Sequence, residues 1–437
     1  MQEIKTIAVV GLGYVGLPLA LLADRKGYHV IGIEKNTEKV AVLTRAKSYI
    51  DDISDADLEH SSVRFSDDMS LIEKAQAVII CVPTPVNADK TPNLDPVKGA
   101  VTDIAPHVQK GTLIVLESTV NPGVSDEVIT PLLEKLSQKR VGTDLYLAHC
   151  PERINPGKVP QDLNPQNQTW SVANINRVIG ANSPRELELA KSLYESLIDA
   201  EIRPMASIKE AEAVKVVENA FRDINIAFVN ELAMSFHKLG LNVENVINGA
   251  ATKPFAFMAH HPGCGVGGHC IPVDPYYLIE YAHAHEFEHQ FLRLARDINE
   301  HMPQFTVELL AESVGDDVES LDGAKVTLLG LSYKEDVGDD RQSPAKVIRT
   351  ILEENGANVA VFDPHMPGQS TVASLREALA HSPSIVIATG HKEFRNLRAK
   401  DLQAAGIKTV VDGRNILQHR RDELAEAGIT YKGIGIN

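Results

Sequence analysis

Short apolar runs rich in β-branched residues alternate with segments of helical spacing along the first ~200 residues. Thr6–Val10 and Tyr28–Ile33 each predict a buried strand, and Leu17–Lys26 between them predicts a helix that stops at Gly27. Further strands are predicted at Ala77–Val82, Thr112–Leu116 and Leu145–Ala148. This alternation is typical of a doubly wound domain with a parallel sheet.

The pattern changes to one long helical segment after Ser207. Ile208–Leu239 keeps helical periodicity without an internal glycine or proline, and Gly240 marks its end. About thirty residues of helix span ~45 Å at 1.5 Å per residue. Because its apolar positions lie on more than one face, we expect this helix to cross a domain boundary or to form a homodimer interface. A later helix is predicted over Leu292–His301, ending before Met302-Pro303.

A second set of strands follows in the last third of the chain. These strands are predicted at Lys325–Leu331, Val359–Phe362, Ile385–Thr389 and Thr409–Asp412. The predicted fold class is therefore α/β, with two Rossmann-like, doubly wound parallel-sheet domains joined by a central helical domain. We expect these domains to span residues 1–204, 205–303 and 304–437, and a length of 437 residues also suggests about three domains.

Composition and charge narrow the classes of function. Hydrophobic residues make up 43% and charged residues 23%, so we expect a packed core rather than disorder. The formal net charge of -16 argues against nonspecific binding to nucleic acid or to anionic membranes. The four cysteines suggest no disulfide framework, the N-terminus lacks the features of a signal peptide, and no uncharged apolar run approaches ~18 residues. We therefore expect a cytoplasmic protein with neither nucleic acid nor membrane as a partner.

The first predicted strand leads directly into a glycine-rich turn, Gly11-Leu-Gly-Tyr-Val-Gly16. A strand before it, a helix after it and Glu34 at the end of the next strand are the context of a dinucleotide-binding fingerprint. Gly11 makes the tight turn, Gly13 lets the pyrophosphate approach, and Gly16 permits close packing of helix and strand. Glu34 can bond the adenosine ribose hydroxyls and repel a 2′-phosphate, which favours NAD over NADP, although Lys35 weakens that preference. A fortuitous glycine turn is the alternative.

Polar side chains follow three strands of the first predicted sheet. Thr84, Thr119 and Glu152 come just after the third, fourth and fifth strands. Because ligands of an open parallel sheet lie at the carboxyl ends of its strands, we expect all three to face cofactor and substrate. In the second predicted sheet, the loop after the first strand carries the cations Lys334 and Arg341, where anionic ligands are expected.

Polar residues also recur along the long predicted helix. Lys215, Asn219 and Arg222 are spaced by four and three residues, so they share one face of the helix, and Asn230 follows eight residues later. Such a face is compatible with a binding or catalytic role. A solvated polar face with no chemical role is the alternative that the spacing leaves open.

The stretch His261–Pro275 is richest in candidate chemistry and holds four glycines and three prolines in fifteen residues. It can form neither a regular helix nor a central strand, so it predicts a tight loop wrapped around a ligand. Cys270, between His269 and Asp274, is a candidate nucleophile, because glycines expose it and polar neighbours can tune its thiolate. A structural loop with an inert cysteine is one alternative. A metal site is the other, but the repeated ligand pairs typical of zinc are missing, and we predict no metal.

Together these motifs resemble the UDP-glucose/UDP-N-acetylmannosamine dehydrogenase family of nucleotide-sugar 6-dehydrogenases over essentially the whole chain. The stretches that carry the resemblance are Val10-Gly-Leu-Gly-Tyr-Val-Gly-Leu-Pro-Leu19, Cys150-Pro-Glu-Arg153, Lys215-Val-Val-Glu-Asn219, Gly265-Val-Gly-Gly-His-Cys270, and Tyr333-Lys334 with Arg341-Gln-Ser-Pro344. Members of the family use NAD twice to convert the C6 alcohol of a UDP-sugar into a carboxylate. The resemblance therefore implies NAD as cofactor and a UDP-sugar as substrate.

The resemblance also implies a role for each matching residue. Cys270 corresponds to the cysteine that attacks the C6 aldehyde, giving a thiohemiacetal that a second hydride transfer turns into a thioester. Lys215 corresponds to the lysine that stabilises oxyanionic intermediates, and Asn219 to its companion. Glu152 corresponds to the glutamate of the water-handling step, and Thr119 to a threonine that positions water.

The candidate site residues form three sets. The catalytic set, which includes the aspartate four residues after the cysteine, is Cys270, Lys215, Asn219, Glu152, Asp274 and Thr119. The cofactor-binding set is Gly11, Gly13, Tyr14, Val15, Gly16, Glu34, Thr84, Thr119 and Arg341. The substrate-binding set is Glu152, Arg153, Lys215, Asn219, Arg222, Gly265, Gly267, His269, Tyr333 and Lys334.

The residues around the cysteine also indicate which sugar is bound. UDP-glucose enzymes carry Ser-Cys-Phe-Pro-Lys-Asp there, whereas His269-Cys-Ile-Pro-Val-Asp274 is similar to the N-acetylhexosamine branch. The stretch Pro151–Gly157, with Arg153 where glucose enzymes have a hydrophobic residue, points the same way, while Gln161–Gln168 departs from the family pattern. We expect UDP-N-acetylglucosamine or UDP-N-acetylmannosamine as substrate. The alternatives are a UDP-glucose 6-dehydrogenase, a two-electron hydroxyacid dehydrogenase and a non-catalytic NAD sensor.

Overall fold

The protein is described by a computed structural model that covers residues 3–50, 53–87, 89–153, 170–315 and 317–436. The chain divides into two compact units. The first unit comprises Met1–Glu218 and Tyr276–Phe287, and the second comprises Asn219–Pro275 and Glu288–Asn437. Within the described ranges, no helix is both long enough and apolar enough to cross a membrane.

An eight-stranded sheet forms the frame of the first unit in the part of the chain described. Its strands are β1 (Thr6–Val10), β2 (His29–Ile33), β3 (Arg64–Ser66), β4 (Ala77–Ile80), β5 (Leu113–Leu116), β6 (Tyr146–His149), β7 (Arg177–Ala181) and β8 (Ile202–Pro204). They lie in the order β3-β2-β1-β4-β5-β6-β7-β8. Neighbouring strands pair in parallel except β6 and β7, which are antiparallel. The predicted parallel sheet is thus confirmed from β1 to β6, and the pattern did not predict β3, β7 or β8.

Helices cover both faces of this first sheet. They are α1 (Gly16–Arg25), α2 (Thr37–Thr44), α3 (Asp55–Glu59), α4 (Asp95–Ile104), α5 (Thr130–Ser137) and α6 (Pro184–Leu197). Successive side chains of β1 point to opposite faces, so Ile7 and Val9 join one apolar core while Ala8 and Val10 join the other. A strand that is apolar on both faces is what a doubly wound sheet requires.

The second unit holds a five-stranded parallel sheet among its described residues. Its strands are β9 (Lys325–Leu329), β10 (Asn358–Phe362), β11 (Ser384–Ile387), β12 (Thr409–Asp412) and β13 (Thr430–Gly433), in the order β10-β9-β11-β12-β13. The remaining helices of the chain are α7 (Ile208–Leu239), α8 (Val243–Ala251), α9 (Asp274–His283), α10 (Gln290–Val314), α11 (Pro344–Glu354), α12 (Leu375–His381), α13 (Lys392–Arg395), α14 (Ala399–Ala404) and α15 (Arg421–Glu426). The first sheet, parallel except between β6 and β7, the five-stranded parallel sheet and the helical segment confirm the predicted fold class.

Of the two long helices, one has the predicted bounds and the other does not. The predicted helix over Ile208–Leu239 is confirmed with the same bounds, and it contributes residues to both units. The helix predicted to end before Met302-Pro303 instead continues to Val314 as α10, with Pro303 inside it. That prediction is wrong because Met302, Phe305 and their apolar neighbours on α10 are buried, and tertiary packing outweighs the hydrogen bond that a proline removes.

Candidate active site

The glycines of the fingerprint turn have three different surroundings. Gly11 has φ +90°, and a Cβ built on it would lie 2.8 Å from the carbonyl oxygen of Cys81. A Cβ on Gly16 would lie 1.9 Å from the carbonyl oxygen of Gly11, so only glycine lets α1 begin so close to the turn. A Cβ on Gly13 would have no other described atom within 4 Å. This cradle, open at Gly13 and placed at the N-terminus of α1, fits the pyrophosphate of a dinucleotide.

Glu34 follows β2 and is held against the fingerprint turn. Its Oε2 accepts the backbone N–H of Leu12 at 3.2 Å, and its Oε1 accepts that of Asn36 at 3.0 Å. The side chain is only partly buried. A carboxylate fixed in this way keeps lone pairs for ribose hydroxyl donors and presents a negative charge to any 2′-phosphate.

The three predicted strand-end residues do lie after adjacent strands of the first sheet. Thr84 follows β4, and its carbonyl oxygen accepts a hydrogen bond from the hydroxyl of Tyr277. Thr119, half-buried, follows β5, and Glu152, 5% exposed, follows β6. The parallel pairing of β4, β5 and β6 places these three strand ends at one edge of the sheet.

The sequence reasoning missed Arg177, which holds Glu152, and Glu117, which contacts Arg177. Arg177, the first residue of β7, donates from Nη2 to Oε2 of Glu152 at 2.5 Å. Its Nη1 lies 3.8 Å from Oε2 of Glu117, the residue directly after β5. A strand-end signal was present for Glu117, two residues before Thr119. No pattern identified Arg177, because the strand that carries it was not predicted.

The polar residues of α7 are not a solvated face. Lys215, in the first unit, is only 8% exposed, and Arg153 of the same unit forms an ion pair with Glu218. In the second unit, the Asn219 side-chain amide donates to the carboxylate of Asp274, and Arg222 is partly buried. These burials and contacts favour a binding or catalytic role for this face over the solvated alternative.

Cys270 lies at the point where the glycine-rich loop turns into α9. Its carbonyl oxygen accepts the backbone N–H of Val273 at 3.0 Å and that of Asp274 at 2.8 Å. All four cysteines are among the described residues, and Cys270 is partly exposed while the other three are buried. Burial raises the pKa of the Cys81, Cys150 and Cys264 thiols, so these three stay neutral. Exposure therefore singles out Cys270 as the candidate nucleophile.

The second unit packs the cysteine loop against the loop that follows β9. Gly268 donates its backbone N–H to the carbonyl of Arg341 at 2.9 Å. A Cβ on Gly267 would lie 2.6 Å from Cβ of Tyr333, and one on Gly265 would lie 3.1 Å from the Pro344 ring. The glycines are needed here for close approach of the two loops, which the sequence composition alone could not specify. The two loops in contact thus carry the candidate nucleophile Cys270 and part of the predicted substrate-binding set, namely Gly265, Gly267, His269, Tyr333 and Lys334.

Lys334 and Arg341, the cations predicted to bind ligand phosphates, lie among polar side chains of the same unit. Arg341 is exposed and forms an ion pair with Asp339, from Nη2 to Oδ2 at 2.5 Å. Burial acts to raise the pKa of Asp339, but hydrogen bonds from Arg341 and the positive charges of Arg341 and His269 together lower it. Lys334 is half-buried in the same loop, and His269 is exposed. This arrangement places a guanidinium, an ammonium and an imidazole group on one pair of loops, which suits an anionic ligand.

The geometry of the cysteine loop does not support the alternative interpretation of the loop as a metal site. Cys264 donates its thiol to the carbonyl of Ala388 at 3.4 Å within the core, and His261 contacts Glu244 at 2.7 Å. Both side chains are engaged in structural contacts of the second unit. The loop therefore does not offer these two residues as ligands alongside Cys270.

Judged by distance alone, a different group of residues is close enough together to hold a metal ion. Asp336, His365 and His391 each place one ligand atom within 4.8 Å of the others. However, Nδ1 of His391 accepts the backbone N–H of Asp336 at 2.9 Å, and Oδ1 of Asp336 accepts that of Lys392 at 3.1 Å. Because these atoms already stabilise the loop, we interpret the group as structural and keep the prediction of no metal.

The predicted site residues are distributed over both units. The first unit carries Gly11, Gly13, Tyr14, Val15, Gly16, Glu34, Thr84, Thr119, Glu152, Arg153 and Lys215. The second unit carries Asn219, Arg222, Gly265, Gly267, His269, Cys270, Asp274, Tyr333, Lys334 and Arg341. Residues 154–157 and 161–168, which contributed to the prediction of the sugar, lie outside the described residues.

Comparisons with known proteins cover the whole length of the chain. Models of the UDP-glucose/GDP-mannose dehydrogenase family match it in three places: the NAD binding domain at residues 5–198, the central domain at 209–301 and the UDP binding domain at 327–419. The NAD binding domain contains the fingerprint turn and Glu34, which confirms the prediction of NAD as cofactor.

Individual relatives are similar over nearly their full length. The chain is 36% identical over 413 residues to UDP-N-acetyl-D-glucosamine 6-dehydrogenase of Pseudomonas aeruginosa, covering 93% of this chain and 95% of that protein. It is 35% identical over 438 residues to UDP-N-acetyl-D-mannosamine dehydrogenase of Pyrococcus horikoshii, covering 98% and 99%. Among solved structures, a UDP-D-ManNAc dehydrogenase from Pyrococcus horikoshii matches with a TM-score of 0.88 at 34% identity, covering 98% of this chain and 99% of that one.

Proposed function

We propose, from the premise that this chain belongs to the UDP-glucose/GDP-mannose dehydrogenase family, that it oxidises the C6 alcohol of a UDP-N-acetylhexosamine to a carboxylate with NAD. The observation that carries the proposal is Cys270, a partly exposed thiol in a glycine loop that packs against Tyr333 and Arg341. The two relatives named above act on UDP-N-acetyl-D-glucosamine and UDP-N-acetyl-D-mannosamine, which favours these sugars. The sequence around the cysteine favours them as well.

The proposed chemistry uses one covalent intermediate on the protein. NAD supplies the hydride acceptor for both oxidations. The Cys270 sulfur adds to the C6 aldehyde formed in the first oxidation, and the resulting thiohemiacetal is again a carbon that can release hydride. The second oxidation leaves a thioester on Cys270, and water cleaves it to the acid. In balance, one alcohol, one water and two NAD⁺ give one carboxylate, two NADH and three protons.

Other side chains of the set have supporting roles in this proposal. Lys215 and Asn219 stabilise the negative charge that develops on the C6 oxygen, which an ammonium and an amide donor can do. Glu152 and Thr119 handle the water of the last step, for which a carboxylate and a hydroxyl are suited. Asp274 orients Asn219 through the hydrogen bond between them. Tyr333, Lys334 and the glycines of the cysteine loop bind the sugar nucleotide.

A panel of UDP-sugars tests the proposed substrate. NADH formation would be measured with UDP-N-acetylglucosamine, UDP-N-acetylmannosamine, UDP-N-acetylgalactosamine and UDP-glucose, and each product identified by mass spectrometry. We expect two NADH per sugar and the highest kcat/KM with one of the first two. Faster turnover of UDP-glucose would reverse the order, one NADH per sugar would indicate a two-electron dehydrogenase, and NAD binding without turnover would indicate a sensor.

Glu34 should make NAD the preferred cofactor. The electrostatic repulsion between a 2′-phosphate and a nearby carboxylate amounts to several kT. We therefore expect kcat/KM with NAD to exceed that with NADP by on the order of 10²-fold. Glu34→Gln keeps the shape but removes the charge, and it should raise kcat/KM with NADP by about tenfold. Glu38→Gln, an exposed position in the first turn of α2, is the matched control. Comparable kcat/KM with both cofactors in the unmodified enzyme would contradict this role of Glu34.

We infer that the protein is a homodimer and that α7 of the second unit is part of the interface. Phe221 and Phe228 lie two turns apart on one face of α7 and are 50% and 52% exposed. On α10 of the same unit, Phe291 and Leu294 are 64% and 53% exposed. Large apolar side chains exposed on two helices are typical of a surface that a partner covers.

The double variant Phe221→Asp/Phe228→Asp should weaken the dimer by about 10²-fold or more, because it buries two charges in an apolar interface. Sedimentation velocity over a range of protein concentrations measures the change. Val347→Asp, at an exposed apolar position on α11, is the control and should leave the dimer intact. An unmodified protein that sediments as a monomer at all concentrations would disprove the inferred dimer.

We also place the protein in the cytoplasm. None of the four cysteines, all of which the structure describes, is joined in a disulfide, and a reducing compartment keeps the Cys270 thiol active. Cell fractionation with immunodetection tests this placement. We expect the protein with the cytoplasmic fraction, and its recovery from an oxidising compartment would contradict the inference.

A further inference from the structure

The antiparallel direction of β7 brings an arginine to the carboxyl end of β6. His149 of β6 pairs with Gly180 of β7, and continuing this register by three residues puts Glu152 opposite Arg177. The Arg177 side chain is fully buried, and its Nη2 donates to Oε2 of Glu152 at 2.5 Å. Its Nη1 lies 3.4 Å from the carbonyl oxygen of Pro151 and donates to it. One guanidinium therefore holds both the side chain of Glu152 and the backbone just before it.

A second buried carboxylate shares this guanidinium. Oε2 of Glu117 lies 3.8 Å from Nη1 of Arg177, and Oε1 of Glu117 accepts a hydrogen bond from the hydroxyl of Tyr194 on α6. Glu117 is 1% exposed and Tyr194 is fully buried. Burial raises the pKa of Glu117, Arg177 opposes that rise, and the neighbouring Glu152 adds to it. The Arg177 guanidinium thus makes its close contact with Glu152 and a looser one with Glu117.

Two thiols also lie next to this cluster. Cys81 and Cys150 are buried beside Glu117, Glu152 and Arg177, and burial raises the pKa of both thiols, so they stay neutral. The thiols therefore add no charge to the cluster, and Glu117 and Glu152 both contact the guanidinium of Arg177.

The other carboxylate oxygen of Glu152 also accepts a hydrogen bond. Its Oε1 accepts the backbone N–H of Arg153 at 2.6 Å, so each of its two oxygens has a donor. A carboxylate that accepts a proton from water must be ionised and correctly oriented before the water reacts. The contact with Arg177 supplies the orientation, because a charge-assisted hydrogen bond limits rotation of the carboxylate.

We propose that Arg177 and Glu117 are positioning residues for hydrolysis of the thioester on Cys270, acting through Glu152. This inference rests on the proposed function. In the step, the water oxygen bonds to the thioester carbon while a water proton passes to Glu152, and the carbon–sulfur bond then breaks as the proton passes to the Cys270 sulfur. No electrons are gained or lost. Arg177 holds Glu152 in one orientation, and Glu117 helps to hold the Arg177 guanidinium in place, so that Glu152 is positioned to take the proton.

Arg177→Lys separates hydrolysis from oxidation. Lysine keeps the positive charge but cannot reach Glu152 and the Pro151 carbonyl together. In rapid-mixing experiments with NAD and UDP-sugar, we expect an initial burst of two NADH per enzyme at the wild-type rate, followed by a steady state slowed by about 10²-fold. Intact-mass spectrometry should then detect the acylated enzyme. A merely structural role of Arg177 predicts instead that burst and steady state fall by the same factor.

Glu117→Gln provides a second variant if Arg177→Lys does not fold. Glutamine keeps the shape and the acceptor for Tyr194 but removes the charge. Without that charge the ion pair between Glu117 and Arg177 is lost, so Arg177 should hold Glu152 less firmly and hydrolysis should slow by about tenfold. The burst should not change. Arg185→Lys, at an exposed arginine on α6, is the matched control for Arg177→Lys and should hydrolyse the thioester at the normal rate.

The outcomes distinguish this inference from the proposed function. If the unmodified enzyme forms no acid from any UDP-sugar, the proposed function fails before any variant is measured. If it forms acid and folded Arg177→Lys hydrolyses within about twofold of its rate, the positioning role is overturned. If Arg177→Lys does not fold, the same result for Glu117→Gln overturns it. Slow hydrolysis with a normal burst in the variant that decides the test supports the role.

Discussion

Replacing Cys270 with serine is expected to abolish acid production while NAD and the UDP-sugar still bind. A serine hydroxyl is a far weaker nucleophile than a cysteine thiol that can ionise, so the aldehyde of the first oxidation is not captured. Without the thiohemiacetal, the second oxidation lacks its hydride donor. We expect the rate of acid formation in Cys270→Ser to fall by on the order of 10³-fold or more. Product quantification by mass spectrometry and calorimetric Kd values for both ligands measure the two parts of this expectation.

The same loop supplies a matched control for this variant. Cys264 lies six residues earlier, is fully buried and donates to the Ala388 carbonyl, a contact that a serine hydroxyl can also make. Cys264→Ser should therefore keep a kcat close to that of the unmodified enzyme. Near-normal acid production by Cys270→Ser would refute the covalent role, and loss of sugar binding would assign Cys270 to substrate recognition instead.

Lys215→Ala is expected to lower kcat strongly and to leave the Kd of the UDP-sugar almost unchanged. Lys215 is 8% exposed, which is uncommon for a lysine that has no function. If its ammonium stabilises the charge that develops on the C6 oxygen, the effect appears in the transition state and not in ground-state binding. Removal of such a donor lowers kcat by on the order of 10²–10³-fold. Steady-state kinetics and calorimetry together measure kcat and Kd.

Lys238→Ala is the control for this variant, because Lys238 is an exposed lysine in the last turn of the same helix. It should change neither kcat nor Kd. A near-normal kcat for Lys215→Ala would remove Lys215 from the catalytic set. A large rise in Kd with unchanged kcat would make Lys215 a ligand of the sugar nucleotide's phosphates rather than of the C6 oxygen.

Features that depend on residues adjacent in the sequence could be predicted from the sequence. The fingerprint turn Gly11–Gly16 and the acid Glu34 sit in one strand–turn–helix–strand unit, and the NAD binding domain match confirmed the cofactor that they predicted. The helix Ile208–Leu239 was predicted with its bounds because nothing interrupts its period. The family resemblance was confirmed for the same reason, since its motifs are short runs of adjacent residues.

Local rules failed where packing competes with them. Pro303 is a strong stop signal in the sequence, yet α10 passes through it. A proline inside a helix leaves the carbonyl four residues earlier, here that of Asn299, without its helical donor. A Cβ on Gly265 would lie 3.4 Å from that carbonyl oxygen, so the cysteine loop runs close to the interrupted turn. The buried apolar side chains of α10 keep the helix intact, and no local pattern measures that burial.

The sequence by itself determined β1, β2 and β4–β6 of the first sheet, β9–β12 of the second, the long helix, the nucleotide turn and the candidate nucleophile Cys270, because each depends on neighbouring residues or on a simple period. Only the tertiary structure decided that the cysteine loop packs against Tyr333 and that Arg177 lies against Glu152. Both contacts join residues far apart in the chain, and the second depends on the antiparallel direction of β7. The alternation of a strand does not specify which neighbour it pairs with or in which direction, so strand pairing and loop contacts follow from packing of the whole unit.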